Sequence, residues 1–394
     1  MKKISSHRKK HSLALAITLC IAAPLAQAGD LNLSGFLSVG GGFVDDENSP
    51  AYNDYSEEDL TFDKNLLGLQ ISGKVNEKLS ATAQLIARSE NDYEVNAEWA
   101  YLTWQASDTI KVRAGRLRTP FYMYSDFLDV GYAYGWISPP SEVYYLPFNN
   151  VDGIDLYATQ TLGMFDTSIQ VYFGSFDDQL TLDGVQSEAK TRNQVGIAGT
   201  LGKDWWTLRA AYHQADLSVD VSPIAISSTM TIGSFATTLT ALGYPNNAES
   251  LLVEEEDAVF TELGINIDTG RFVAAAEYVE FDPGDAVFSK NIRQFVIAGI
   301  WLFHITGSQA KDEAADPAAG IPANQAMPVF GSTNVLIGTL DAIAASQVTE
   351  REVLSLGVRW DVASSTALKF QVDDVDNKNA GDQKVFSVAL QTVF

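Results

Sequence analysis

The sequence is poor in the residue types that carry most protein chemistry. Its single cysteine, Cys20, lies within the first 28 residues, which excludes a disulfide framework, a thiolate metal site and a cysteine nucleophile from the remainder. Of the four histidines, only His213 and His304 lie beyond residue 28. The longest apolar run after that point has nine residues, 295–303, whereas a membrane-spanning helix needs about 20. Helical membrane insertion is therefore excluded as well.

Basic residues are also scarce. The chain has 26 Lys plus Arg against 50 Asp plus Glu, a formal net charge of −24. The first 28 residues hold five of the basic residues and none of the acidic ones, so the remainder has 21 against 50 and a net charge of −29. Nucleic acid and anionic lipid surfaces are poor partners for such a protein.

The first 28 residues have the three parts of a secretory signal peptide. They start with basic residues, continue with an apolar stretch from Leu13 to Leu25, and end in Ala26-Gln27-Ala28. We predict cleavage after Ala28. The alternative, a membrane anchor, is disfavoured because the apolar stretch is shorter than a bilayer requires. Residues 29–394 contain no linker, low-complexity tract or composition shift, so we expect one domain there.

The remainder is a series of segments in which polar and apolar residues alternate. Alternation over roughly 8 to 12 residues, broken by turn residues, is typical of the strands of a transmembrane β-barrel. We count sixteen segments: 31–43, 65–75, 79–88, 95–105, 110–117, 153–161, 166–174, 193–201, 205–214, 257–268, 271–281, 291–300, 302–311, 351–361, 365–375 and 384–394. The weakest joint is near Trp301, where no Gly, Asn or Asp pair marks the turn. The predicted fold is an all-β antiparallel barrel of about 16 strands.

The connections alternate between short and long, as turns at one rim and loops at the other require. The long ones include 45–63, 117–152, 175–192, 215–256 and 312–350. Within the last two, the apolar runs 226–242 and 335–345 predict short helices over a rim, or disorder. A soluble β-sandwich would alternate in the same way. Against it, aromatic residues stand near segment ends as interfacial girdles do: Trp99, Tyr101, Trp205, Trp206, Tyr278, Trp301, Trp360 and Phe394.

The connection from Leu117 to Asp152 is long, contains several prolines and is rich in aromatic residues. A loop of this length in a compact structure is usually functional or disordered, and the aromatic content argues against disorder. We therefore expect it to be ordered and to pack against another part of the protein.

Two stretches carry a family resemblance. The last strand, from Lys384 to Phe394, alternates and ends on an aromatic residue, which resembles the assembly signal of Gram-negative outer-membrane barrels. The stretch from Gly115 to Phe121, with the aromatic loop after it, is similar to phosphate-selective-type and related general porins. The chain is thus identified by resemblance as a Gram-negative outer-membrane porin.

That resemblance implies a homotrimer of sixteen-stranded barrels in the outer membrane. It implies that the third external loop folds inward to narrow a water-filled channel, and that the assembly machinery recognises the strand ending in Phe394. Outer-membrane lipid and lipopolysaccharide would be its surroundings.

No motif predicts a cofactor, a metal site or catalysis. An outer-membrane hydrolase with a Ser-His-Asp triad would need His213 or His304 as its base, and these lie on separate segments. Acidic pairs such as Asp177 with Asp178 fit no calcium loop and indicate exposed loop charge. We predict a protein that is not an enzyme; an outer-membrane enzyme or adhesin is the further alternative.

Charges opposite the apolar faces are candidate pore residues. The basic ones are Lys74, Arg88, Lys111, Arg113, Arg209, Arg359 and Lys369, with Arg116 and Arg118 at the loop root. The acidic ones on the wall are Glu98, Asp155, Glu262, Glu277 and Asp373. The loop adds Asp126, Asp129, Glu142 and Asp152, and Tyr124 also lies on it. An acidic loop facing a basic wall would create a transverse field; alternatively, the pairs are salt bridges that tether the loop. We predict passive diffusion of small hydrophilic solutes with mild cation preference; the alternative is a substrate-selective channel of the anion or phosphate type.

Overall fold

The chain folds into a closed barrel of sixteen antiparallel strands. The computed structural model describes residues 31–46, 51–53, 55–56, 58–182, 184–284, 290–300, 302–327, 329–379 and 381–394. The predicted signal peptide and Trp301 lie outside these ranges. A closed sheet of this size excludes the β-sandwich.

The barrel strands are numbered β1 to β16 in chain order. They are Leu31–Val44, Thr61–Lys74, Leu79–Arg88, Val95–Gln105, Ile110–Arg118, Asn150–Leu162, Phe165–Leu182, Val185–Lys203, Trp206–Val219, Val253–Asp268, Phe272–Asp282, Lys290–Ile300, Phe303–Glu313, Glu350–Ala363, Thr366–Asn377 and Gln383–Val393. Each pairs with its neighbours in sequence, and β16 closes the barrel on β1 in a register that pairs Phe36 with Val393. All sixteen predicted segments are strands.

The uncertain joint near Trp301 separates two strands. β12 and β13 are antiparallel partners whose register begins with Ile300 opposite Phe303 and continues to Lys290 opposite Glu313. The even strand count is therefore confirmed.

The prediction of a long loop at 175–192 is wrong. β7 and β8 continue through this stretch as a hairpin, with Leu182 opposite Val185, after register shifts between Gly174 and Phe176 and between Arg192 and Val195. Above these shifts apolar side chains such as Phe176 are buried. The pattern of a membrane strand, with apolar side chains on the outer face and polar ones inside, is therefore lost there.

The predicted aromatic girdles are correct in part. Trp205, Trp360 and Phe394 are exposed at or near strand ends, and Tyr278 is exposed near the middle of β11. Tyr101 instead packs inside the barrel against buried side chains. Trp99 pairs with the buried Gln84 and its indole nitrogen is inaccessible, so it also faces inward. Both were misassigned because their strand has a bulge opposite Gln84, which breaks the alternation.

Two of the long loops are helical, as the apolar runs predicted. They contain α1 (Ile232–Ala241), α2 (Pro245–Glu249) and α3 (Thr333–Gln347). Asn247 donates its side-chain amide to the carbonyls of Pro317 and Ala319, which joins the two loops over the external mouth. No helix among the described residues is long and apolar enough to span a membrane.

Candidate pore constriction

Residues 119–149, called loop 3, connect β5 to β6 and fold into the barrel. Trp136 is 1% exposed and donates its indole N–H to Thr306 Oγ1 of β13 at 2.8 Å. The neighbouring Ile137 N–H donates to Gln371 Oε1 of β15 at 3.1 Å. The expectation that the aromatic loop folds inward and packs against another part of the protein is confirmed.

Two cations of the wall hold the middle of loop 3 through its backbone. The Lys369 ammonium donates to the carbonyls of Gly131, Tyr134 and Trp136 at 2.6, 2.7 and 2.5 Å. Arg359, a predicted pore residue, donates to the carbonyls of Tyr132 and Tyr134 and pairs with Asp361 on its own strand. These charges are therefore used to hold the loop.

The root of loop 3 is fixed to β9, β10 and β11. Arg209 donates to the Pro120 carbonyl at 2.5 Å and to the Phe121 carbonyl, and it pairs with Glu262. Glu277 accepts from the Met123 N–H at 2.9 Å and from the Tyr144 hydroxyl. Arg209 thus lies where a pore residue was predicted, but its charge is compensated by a carboxylate.

Glu142 anchors the end of loop 3 that is nearest the external mouth. Its buried carboxylate accepts from Arg351 Nε at 2.8 Å, Ser308 Oγ at 2.9 Å and the Tyr52 hydroxyl at 3.2 Å. Tyr52 belongs to the loop between β1 and β2. Glu142 therefore ties two loops to the wall and does not line the channel.

A cluster of four charges joins loop 3 to the opposite wall. Arg88 on β3 contacts Glu98 at 2.6 Å and Asp129 at 2.8 Å, and Arg118 at the end of β5 contacts the same two carboxylates at 3.4 and 3.1 Å. Arg118 also donates to the Ser125 carbonyl at 3.0 Å. The cluster holds two positive and two negative charges, so it is electrically neutral as a whole.

The pKa of Asp129 reports on this cluster. Burial by itself would raise the pKa of the carboxyl, but the Arg118 and Arg88 guanidiniums outweigh it and hold the pKa below the ordinary 3.8. Because the folded pKa is the lower one, the stabilisation is complete above about pH 4 and is lost only as the pH falls through the lowered value.

We therefore expect Asp129 to hold this edge of loop 3 from pH 8 to about pH 4, so that current noise caused by release of this edge appears only below that. Asp129→Asn should show the same noise at pH 7, because both arginines lose a charged partner. Single-channel recording measures this, with Asp126→Asn as the control. If this noise began between pH 7 and pH 5 in the unchanged protein, a group other than Asp129 would hold this edge of the loop.

The remaining candidates lie toward the periplasmic rim. Arg113 makes a bidentate pair with Asp155, at 3.0 and 2.5 Å, between the rings of Tyr101 and Tyr157. Lys111 is exposed two residues below it. Asp126 is also exposed and makes no ion pair with any residue that the structure describes.

Arg116 and Asp152 are not where the sequence placed them. They pair with each other at 2.9 Å across β5 and β6, in the same row of side chains as Ala114 and Ile154. Ile154 is 49% exposed on the outer surface, and the intervening Leu117 is 1% exposed and faces inward. The register therefore puts Arg116 and Asp152 on the outer face of the barrel, and Asp152 belongs to β6, not to the loop.

Loop 3 separates two recesses in the lumen. The external recess, ≈ 300 Å³, lies between the loop and β1 to β3 and contains Lys64, Arg88 and Asp129. The periplasmic recess, ≈ 250 Å³, lies between the loop and β6 to β10 and contains Tyr124, Asp126 and Arg209. The edge of loop 3 from residue 125 to 129 stands between the two.

The sequence did not predict the role of several residues that position loop 3. Thr306, Gln371 and Lys369 lie on inward strand positions, and alternation predicts that orientation. No local signal shows that their partners are Trp136, Ile137 and three backbone carbonyls, since these contacts join residues 170 to 238 positions apart.

Comparison with known proteins agrees with this architecture. The sequence profile of the Gram-negative porins matches residues 12–300. A loop L8 deletion mutant of the Vibrio cholerae outer membrane protein OmpT superposes with a TM-score of 0.57 at 13% identity, covering 93% of this chain and 100% of that one. The outer membrane channel DcaP of Acinetobacter baumannii gives 0.56 at 11% identity, with 94% and 99% covered.

The trimer form of in-vitro folded Vibrio cholerae OmpT gives a TM-score of 0.51 at 12% identity, with 93% and 100% covered. No curated protein sequence matches significantly. Because the profile covers most of its length, the chain belongs to the Gram-negative porins. It is a β-barrel of the outer membrane and a channel for passive diffusion.

Proposed function

We propose that this porin is a general diffusion channel whose narrowest part lies between the edge of loop 3 and the wall of β3 to β5. Solutes would pass from the external to the periplasmic recess beside Asp129. The domain that does this is residues 29–394, exported by the signal peptide 1–28.

The observation that carries the proposal is charge pairing along this path. Arg88 and Arg118 share two carboxylates, and Arg113 and Arg209 each have one. A channel selective for phosphate or other anions needs unpaired cations that converge on one point. Paired charges instead favour the tethering alternative for the loop and favour sieving by size.

Ion preference would then come from the acidic mouth and from Asp126, which has no ion-pair partner in the described part of the chain. With a net charge of −29 after leader removal, we expect mild cation preference at 0.1 M salt. It should decline toward 1 M, because the Debye length falls from about 10 Å to about 3 Å. Reversal potentials in a salt gradient across planar bilayers measure it.

Asp126→Asn should lower the cation preference, whereas Asp204→Asn, at an exposed periplasmic turn, should leave it nearly unchanged. Clear anion selectivity that disappears in Arg113→Gln would instead support the anion-selective alternative.

The proposal includes assembly as a homotrimer among outer-membrane lipid and lipopolysaccharide. The trimer form of the similar OmpT barrel and the family membership support it. The last strand ending in Phe394 would be the part recognised by the assembly machinery.

A channel, not an enzyme, also fits the surroundings of the two histidines. His213 packs between the rings of Phe121 and Phe260 and contacts the Tyr172 hydroxyl at 2.9 Å. His304 lies against Trp136. Both are used in packing beside loop 3.

A further inference from the structure

The periplasmic recess, between loop 3 and β6 to β10, has two unlike sides. The side formed by loop 3 presents two aromatic rings, Tyr124 and Phe127, whose centroids are 5.5 Å apart. Phe127 is 37% exposed although it lies inside the barrel. The Asp126 carboxylate, next to it in the sequence, is also exposed in this recess. A large apolar ring and a negative charge therefore face the lumen together.

The tethers of loop 3 hold these groups in place. The Phe127 N–H donates to the Tyr124 carbonyl at 3.1 Å within a short 3₁₀ turn. The Ser125 carbonyl in the same turn accepts from Arg118 Nε at 3.0 Å. The Tyr124 ring packs edge-on against Trp136, with centroids 5.6 Å apart. A bound solute would therefore meet a surface that is ordered in advance, which lowers the entropy cost of binding.

The barrel wall on the other side of the recess is polar, but its polar groups are bonded to one another. The Ser168 hydroxyl lies 2.6 Å from the Thr200 hydroxyl, and the Gln170 amide donates to Asp155 at 2.7 Å. Arg209, a cation of this wall, is paired with a carboxylate. These bonds use donors and acceptors that a sugar or an anion would otherwise need.

Asp126 is the charge of the recess that has no ion-pair partner among the residues that the structure describes. A carboxylate attracts cations, and an aromatic ring attracts a cation that lies within about 6 Å of its centre. An apolar group on the same solute would cover the exposed ring of Phe127 and remove it from water. The recess has a volume of ≈ 250 Å³, and a cavity of about 150 Å³ holds a benzene ring. One ring with a cationic group therefore fits.

We propose that the periplasmic recess is a binding subsite for organic cations that carry an aromatic group. Asp126 attracts the positive charge, and Phe127 and Tyr124 contact the apolar group and add cation–π attraction. This inference rests on the proposed diffusion channel and goes beyond it by naming a class of solute that the channel retains. Neutral sugars and passage governed by size alone are the competing outcomes.

Block of the potassium current by quaternary ammonium ions tests the subsite, because these ions keep their charge at every pH. Benzyltrimethylammonium and tetramethylammonium carry the same charged group, and the first adds an aromatic ring. In planar bilayers, benzyltrimethylammonium should halve the open-channel current at a concentration about two to ten times lower, the range that an aromatic pair contributes. Equal half-blocking concentrations, or equal block by glucose, would overturn the subsite. A protein without any channel current would instead contradict the proposed function.

Single substitutions identify the groups that bind the cation. Phe127→Leu keeps an apolar side chain of similar size but removes the ring, so it should raise the half-blocking concentration of benzyltrimethylammonium about twofold or more. Phe127→Tyr should keep the lower value. Asp126→Asn should raise the concentration for both ions, because both carry the charge. Heat modifiability checks the fold of each variant.

Tyr93→Leu is the matched control, at an exposed aromatic residue in the loop between β3 and β4. It should leave the block by both ions unchanged. Unchanged block by benzyltrimethylammonium in either Phe127→Leu or Asp126→Asn, or an equal change in Tyr93→Leu, would place the bound cation outside the periplasmic recess and overturn the proposal.

Discussion

A chain that ends at Gly381 is expected to be absent from the outer membrane. The truncation removes β16, which pairs with both β15 and β1, so the barrel would keep two open edges in the hydrocarbon. Unpaired backbone groups are not tolerated there. The loss should be essentially complete, measured as heat-modifiable protein in outer-membrane fractions. A truncated protein at normal abundance would show that β16 is dispensable.

The role of the last residue can be separated from closure. Phe394 is 63% exposed, and its backbone exchanges two hydrogen bonds with Gly35 that any residue could make. Phe394→Ala should therefore leave the sheet intact but reduce assembly if the side chain is a recognition signal. Trp360→Ala, at another exposed aromatic of the barrel, is the control. If both variants lost the same amount of assembled protein, Phe394 would act only as an interfacial aromatic residue and not as a recognition signal.

Deleting residues 125–142 is expected to raise single-channel conductance several-fold. This segment contains the edge of loop 3 that stands between the two recesses, and its removal would join them into one wide lumen. The β-barrel itself should persist, because each barrel strand keeps its neighbours. Planar-bilayer recording measures the change, and heat modifiability checks the fold.

A single substitution tests the same loop without the risk that the deletion protein misfolds. Lys369→Met removes the donor to three loop carbonyls while keeping side-chain length, and it should increase conductance fluctuations at an intact loop. Unchanged conductance in a well-folded deletion protein would place the constriction elsewhere in the barrel.

The strands were predictable because the polarity of neighbouring residues in each strand reflects the surroundings of its two faces. Every spanning segment has lipid on one side and water or polar loop on the other, so period-two alternation appears within ten residues. The β7–β8 hairpin beyond Ser175 lacks that contrast: its inner face packs on the loops, where Phe176 and Ala189 are buried. Apolar side chains therefore face inward in this part of the hairpin. A prediction that expects apolar side chains on the outer face assigns such a segment to a loop.

The site was less predictable, because its charges are defined by partners far along the chain. Asp126 and Asp129 are equivalent in the sequence, yet only Asp129 reaches Arg88 and Arg118. Arg116 and Arg118 are two residues apart, and only the second bends inward with the end of β5. Strand parity would have identified Arg116 as outward, since it continues the row of Ile110, Val112 and Ala114.

The proposed homotrimer would also affect how neighbouring mouths interact. Three copies would bring three external mouths side by side, each bordered by its own long β7–β8 hairpin. The acidic loops of all three would then act on one pool of counter-ions. At 0.01 M salt, where the Debye length is about 30 Å, each mouth would sense its neighbours' charge, whereas at 1 M the three conductances would simply add.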